Sequence, residues 1–407
     1  MAITILSSPL SYTPVYNDIN FVASSTNVAQ PNFNFIVDVK VNGSTVTRHR
    51  IPPRPDNNYC LFNAKRIVEN YLTQTFAYNF LDVRSWSSGI ASLVLEFREE
   101  YGTTPAIGAL SATSSTIYCW IASLDHPEFV DYVVTKYRLM TGEIGVSQLL
   151  TNNLTPNIKY SEKAWIYALV GEANAVTTFE IRAYNSAGTQ IQLTRVLNSY
   201  SAVTSVGHRM LSCPSGPENL NDILNAQLDA TTQNQGNIIP SNTSYYTIQT
   251  RGNSAGSILT TYNIIDPCTK YESIRIHFLN KLGGFDSFTF DLLSRENNAI
   301  ERKKYKRNLG AFSGSSYVYT DLQRSNIIYD TQVNETLVIN SNWITDAESV
   351  WLEELLTSPI TYMETSQGIE VVNVTESAYE VKKRVNDKLF NLTITLEKTY
   401  TKTRQRG

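Results

Sequence analysis

Gly252-Asn253-Ser254-Ala255-Gly256 has the G-x-S-x-G spacing of a nucleophile elbow. That motif lifts a serine between a buried strand and a helix. Tyr245-Tyr-Thr-Ile-Gln-Thr precedes it and Ser257-Ile-Leu-Thr-Thr-Tyr follows. Both flanks read as strands, so the expectation is a hairpin tip, and the downstream histidine, His277, sits inside an alternating strand. His49, His126, His208 and His277 form no H-x-x-x-H pair and lie near no cysteine pair. They read as solvent-facing or locally bonded, with no metal cluster. Cys60, Cys119, Cys213 and Cys268 are far apart, with no C-x-x-C. They read as mostly buried thiols, outside any disulfide framework or zinc site.

Glu99-Glu100 and Glu353-Glu354 are adjacent acids. Neighbours on a strand point to opposite faces, so Glu99 and Glu100 are no facing acid/base pair. A glycosidase pair drawn from distant strands stays open at this level. Arg302-Lys-Lys-Tyr-Lys-Arg307 is the basic run of note. As a strand it puts Arg302, Lys304 and Lys306 on one face. That suits phosphate contact, but a solvated strand or an inter-subunit salt-bridge face is preferred, because nearby acids leave the C-terminal block near neutral. A G-x-x-x-x-G-K phosphate loop is absent from the sequence. Tyr118 with Trp120 could stack on a sugar, although core packing is the commoner fate of aromatics two apart on a strand. No catalytic, cofactor-binding or metal-ligating residue is assigned.

The elements around these residues are mostly strands. Phe33, Phe35, Val37, Val39 and Val41 alternate with mostly polar residues and end at Asn42-Gly43, a half-buried strand entering a tight hairpin. A helix is expected over 65–72, with Ile67/Tyr71 and Val68/Leu72 on one face. Ala91, Leu93, Leu95 and Phe97 alternate, as do Trp165, Tyr167 and Leu169, and then Phe179, Ile181 and Ala183. Asn185-Ser-Ala-Gly188 is a turn. Thr345-Asp-Ala-Glu348 is a capping-box pattern opening a helix whose apolar face is Trp351, Leu352, Leu355 and Leu356 and which Pro359 stops. Residues 268–290 read as two strands around Gly283-Gly284, with Asp286 capping the turn. The expected fold class is mainly β: two to three antiparallel β-sandwich-like domains with a few short packed helices. The expected divisions are 1–143, a sandwich with one helix; 144–213, a second β-rich domain; 214–243, a linker or long loop with a short helix near Leu220–Leu228; and 244–407, a β domain with one helix and an extended tail.

Composition narrows the classes. The 407 residues carry 34 Lys+Arg against 37 Asp+Glu, a net charge of -3, and only 17% are charged. About 36 Asn and about 42 Thr supply uncharged polarity instead. With 42% hydrophobic and 11% aromatic residues, intrinsic disorder is excluded, and so is a globally basic nucleic-acid binder. The start, MAITILSSPLSYTP, lacks the basic and apolar regions of a signal peptide, and no run approaches a membrane span. Synthesis in a reducing cytoplasm is the expectation.

The hairpin F-L-N-K-L-G-G-F-D-S-F-T-F (278–290), the helix W-L-E-E-L-L-T-S-P (351–359) and the ending N-D-K-L-F-N-L-T…Q-R-G (386–407) together resemble a family of virion proteins of tailed bacteriophages infecting Bacteroidetes, crAss-like phages among them. P-N-F-N-F-I-V-D-V-K-V-N-G (31–43) with P-P-R-P-D fits the same family. The resemblance implies a structural subunit of the tail, collar or portal-proximal assembly, with no enzymatic activity and no cofactor. It implies an oligomeric ring around the DNA channel. The partners would be further copies of the chain and neighbouring tail, portal or collar proteins, with non-specific proximity to viral DNA and no membrane. A host-glycan-binding appendage is the alternative. Edge strands would be the joints, and the polar, basic tail from Thr399 to Gly407 an arm ordered on assembly.

Overall fold

The structure, a computed structural model, describes residues 2–200, 208–232, 236–252, 255–266, 270–319, 321–375 and 389–403. Strand makes up 49% and helix 9%, so the chain is mainly β, with sandwich-like packing of antiparallel and mixed sheets. Two compact units divide it: Met1–Asp266 with Asn280–Asp286, and Pro267–Leu279 with Ser287–Gly407.

The first unit begins with a sheet built on Asn34–Val41 and Ile90–Tyr101, paired antiparallel from Asn34↔Glu100 to Val41↔Leu93. Asn42 (φ 50) and Gly43 (φ 81) turn the chain into Ser44–Ile51, both taking the positive φ that this two-residue turn demands. Phe35, Val37, Val39, Leu93, Leu95 and Phe97 are fully buried. The opposite face is covered too: Asp38 is buried, with Arg48 and Arg98 laid across it. The strand is therefore buried on both faces rather than half-buried, because arginine stems cover what alternation assigns to water. A three-stranded sheet, Ile3–Ser7, Asn20–Ser25 and Cys60–Asn63, is tied to this one through Ser25 to Glu99 and through Phe62 against His49. The helix expected over 65–72 is one α-turn, Lys65–Val68, continued as a 3-10 turn, Glu69–Tyr71; Val68 and Leu72 are buried and Tyr71 is exposed.

Two further sheets enclose the second core of this unit. One orders Arg138–Leu139, Trp165–Val170, Arg209–Pro214 and Arg84–Trp86. The other runs through Ile144–Ser147, Ala255–Ser257, Tyr245–Gly252, Thr178–Tyr184 and Gln190–Leu197. Ile166, Ala168, Leu211, Phe179, Ile181, Tyr246 and Ile248 meet between them. The expected divisions at 143/144 and 243/244 do not separate sheets. Arg84–Trp86 pairs with Arg209–Pro214, and Tyr245–Gly252 pairs along the whole of Thr178–Tyr184. Cross-strand bonding binds these segments into one unit, and the division falls at Asp266 instead. Residues 214–243 are not a spacer. They hold a short helix, Pro217–Asn221, and their Leu220, Ile223, Leu228, Ile238 and Ile239 sit in the core.

The second unit is one large sheet with the order Phe285–Phe290, Ile274–Leu279, Thr361–Thr365, Gly368–Val374, Leu389–Lys398, Asn326–Thr345 and Arg295–Lys306. Helix Asp346–Thr357 packs on it through Trp351, Leu352 and Leu355. Its capping box is formed: Thr345 Oγ1 accepts from the Glu348 N–H, and Glu348 accepts from the Thr345 N–H. No helix among the described residues is long and apolar enough to cross a membrane.

Candidate functional site

A strand exposed along its whole length carries the basic run. Arg295–Lys306 pairs antiparallel with the outer part of Asn326–Thr345, and all twelve of its residues are exposed. A lone two-stranded ribbon is marginal in water. This one is anchored because Asn326–Thr345 is twenty residues long and its inner half pairs with Leu389–Lys398, where Ile339 and Ile344 are buried. Twelve residues in extended form reach about 40 Å. Lys402–Thr403 flanks the ribbon as far as Gln332. Outward from Arg302↔Thr331, no described strand pairs with either outer edge.

The side chains change character at that point. Residues 302–330 hold six basic groups against two carboxylates, Asp321 and Asp330, a net +4 on a chain of net -3. Arg302, Lys304 and Lys306 share one face, as strand alternation requires. Across from them stand Thr331, Ile328 and Asn326, with no acid. On the other face Lys303 pairs with Asp330 at 3.4 Å, and Tyr305 lies near Tyr329. The register shifts opposite Lys303/Lys304, leaving Tyr329 as an extra residue and increasing the local twist. The tip is a small hairpin, Ala311–Ser313 with Ser316–Val318, where the Tyr317 ring meets Phe312 and Tyr319 edge-on. Phe312 remains 79% exposed, Tyr319 69% and Leu322 93%. Nothing in the run Arg302–Arg307 marked a strand pair that runs on past its last flanking strand. That followed only from its pairing, whereas the cationic face was readable from alternation.

Elsewhere, Ile144–Ser147 ends its sheet with Ile144 61% and Val146 51% exposed and no charge among its four residues. Ser44–Ile51, an end strand of the first sheet, carries Arg48, His49 and Arg50. Charges of that kind guard an edge against strand addition, and Ile144–Ser147 lacks them.

The other sequence candidates are scattered. Ser254 lies outside the described residues, as do Asn253 and Cys268. The flanks of Ser254 form a hairpin, Gly252↔Ala255, with no helix following. His49 packs on Phe62 and His126 begins a short exposed helix. His208 stacks on Tyr118 with ring centres 3.5 Å apart and bonds the Tyr12 hydroxyl. Burial, aided by Arg138, lowers the His208 pKa. His277 is buried in the second unit, with Nδ1 2.7 Å from Ser287 Oγ and Nε2 3.8 Å from Glu364. Among the described residues no group of His, Cys, Asp and Glu could hold a metal. Glu99 accepts from Ser25 and Asn27, while Glu100 takes Arg50. Trp120 is fully buried beside Tyr132, so its pairing with Tyr118 presents no open platform. At the Gly283-Gly284 turn Asn280 Oδ1 accepts the N–H groups of Leu282 and Gly284, while Asp286, the expected cap, takes the Thr151 hydroxyl. Asn280 stands at the position whose side chain reaches back over the turn. The expected assembly arm at the C-terminus is seated as far as it is described. Lys402–Thr403 pairs in the sheet and Lys402 bonds Glu335; residues 404–407 lie outside the described residues.

Sequence reasoning missed Glu180. It is buried among Arg182, Arg195 and Arg251 with Gln249 at 2.9 Å. Its neighbours come from strands up to seventy-one residues away, so no local signal could disclose it.

No protein family matches the sequence, and no curated protein does. A solved structure of a Salmonella alpha-2-macroglobulin mutant aligns over 99% of this chain at 9% identity and a TM-score of 0.16. The chain spans about a third of that protein's length, 34%, and likeness at this level carries no argument.

Proposed function

We propose that the chain is a structural subunit of a tailed-phage particle, one of many copies joined head-to-tail in a ring of the tail or collar around the DNA channel. The observation that carries this reading is the anchored arm with its apolar tip. Phe312, Tyr319 and Leu322 stand exposed at the end of this ribbon, with Phe312 and Tyr319 each against the Tyr317 ring, and exposed apolar groups gathered on one element mark contact surfaces. The uncharged end strand Ile144–Ser147 supplies a second joint, where a strand of the next copy can add. A donor and a different acceptor make a heterologous contact, which closes into rings when the rotation allows. The resemblance of segments 278–290, 351–359 and 386–407 to virion proteins supports the same class.

The test is mass photometry with negative-stain imaging of the full chain. Rings or a ladder of oligomers are expected, and Phe312→Ser/Leu322→Ser should return them to monomers. A chain that stays monomeric at the highest attainable concentration and is retained by host surface glycan overturns the reading in favour of an appendage.

A further inference from the structure

We propose that the outer arm binds double-stranded DNA through its phosphates, without base specificity. The inference stands apart from the ring: it needs the arm and not the assembly. Among the described residues, Arg302, Lys304, Lys306, Arg307 and Arg324 make no ion pair. Cations held so close together on one ribbon repel one another, and the nearby acids Glu301 and Asp330 do not relieve the face that carries Arg302, Lys304 and Lys306. Glu301 points to the other face, and Asp330 is taken by Lys303 there. The net +4 of residues 302–330 thus lacks an ion-pair partner among the described residues.

The dimensions select the ligand. Same-face residues on a strand lie about 7 Å apart, so Arg302 to Lys306 spreads three cations over about 13 Å. Duplex DNA presents a phosphate charge every 1.7 Å or so of axis, which offers each cation a partner at once. A two-stranded ribbon is also the shape that the B-form major groove, about 12 Å wide, admits. The arm is unpaired on both edges over this stretch and can enter a groove. Arg307 and Arg324 stand where the ribbon meets the tip, joined through Arg307 N–H to the Ser325 carbonyl at 2.8 Å. They extend the basic surface around the end of the strand pair. Of the residues opposite the three cations, Asn326 alone carries an amide that could read a base edge, so the contact is to the backbone.

Binding of the full-length chain to a fluorescent duplex of about 30 base pairs, followed by anisotropy from about 50 to about 200 mM salt, is the experiment. The logarithm of affinity should fall against the logarithm of salt with a slope between about -3 and -4.5, three to five phosphate contacts. Arg302→Ala/Lys304→Ala/Lys306→Ala should weaken binding at least about tenfold and flatten the slope by nearly 3. Arg302→Lys/Lys304→Arg/Lys306→Arg should keep both. Removing three exposed arginines from the first unit, Arg54→Ala/Arg66→Ala/Arg84→Ala, should leave both unchanged. The proposal is overturned by a salt-independent signal, by equal losses in the two triple-alanine variants, or by polyglutamate of matched charge binding the arm more tightly than the duplex does. The last outcome would make the arm's partner an acidic protein surface.

Discussion

Glu180→Gln should unravel the sheet around it, and by an amount that depends on pH. Glu180 faces Arg195 on one neighbouring strand and Gln249 on the other, both directly opposite in register. Arg182 donates at 2.8 and 3.0 Å, Arg195 at 3.0 Å and Arg251 at 3.4 Å. Burial pushes the carboxyl up, but the hydrogen bonds from Arg182, Gln249 and Arg195 outweigh it and hold the group at about 2, against an ordinary 4.5. That difference corresponds to about 3.4 kcal/mol of folding free energy. The guanidinium groups are a third or more exposed, and screening by water reduces the figure to about 2 kcal/mol. A folded pKa below the unfolded one gives stability that is complete above about 4.5 and fades as pH falls toward 2. By pH 3 less than about half remains. Hydrogen exchange of the Thr178–Tyr184 and Gln190–Leu197 segments reads this locally, free of the second unit. At pH 7 the variant should exchange about 30-fold faster, and the gap should narrow to a few-fold at pH 3. Equal protection in the two proteins at pH 7, or a gap that ignores pH, would refute the account of Glu180 as the ion that holds three arginines together.

Three shorter tests follow from the packing. Gly283 has φ 88, and an added β-carbon would collide with the Ile121 carbonyl oxygen, so Gly283→Ala should cost at least about 2 kcal/mol in thermal or urea unfolding. Burial pushes the Cys60 and Cys119 thiols up to about 12 and raises Cys213 as well, so in a Cys268→Ser background these three should resist a thiol reagent at pH 8 until the protein is unfolded. Replacing residues 309–322 with a two-residue Asn-Gly turn should move the unfolding midpoint by under about 0.5 kcal/mol, because the tip covers no core, while abolishing oligomers; a large loss of stability would show that the tip is structural.

Where a face is decided locally, alternation disclosed it. The Phe35-to-Val41 row, the Asn42-Gly43 turn and the Thr345–Glu348 box all stand as the residues imply, because each depends on neighbours within a few positions. Register between distant strands was not legible. It sends Arg84–Trp86 to a sheet whose other strands begin fifty residues later and seats Tyr245–Gly252 beside Thr178–Tyr184. It also explains Asp38 and Glu180: each looks solvent-facing by its period, and each is buried by arginines that arrive from other strands. The Asn280 cap was missed for a subtler reason. Two side chains of the same hairpin, Asn280 and Asp286, are candidates to reach its backbone, and the Thr151 hydroxyl that Asp286 takes comes from a residue more than a hundred positions away.

The low charge of the chain takes on a different meaning once its charges are placed. Many carboxylates on the first unit are consumed in pairs: Asp38 by Arg48 and Arg98, Glu96 by Lys40, Glu100 by Arg50, and Glu180 by its three arginines. Such pairs leave little net field at the surface. The arm is the exception, because the residues opposite Arg302, Lys304 and Lys306 are the uncharged Thr331, Ile328 and Asn326. A field confined to a projection acts only on what the projection touches, and at about 0.15 M salt it fades within about 8 Å. Specificity for the arm's ligand therefore follows from reach and shape more than from long-range attraction. Lengthening the ribbon by two residues on each strand inside Arg302, which keeps every charge and its facing, should leave duplex binding of the free chain intact. It should impair assembly wherever the arm must meet a partner at a fixed distance. Loss of both functions together would show that the ribbon's twist, and not its reach, sets the contact.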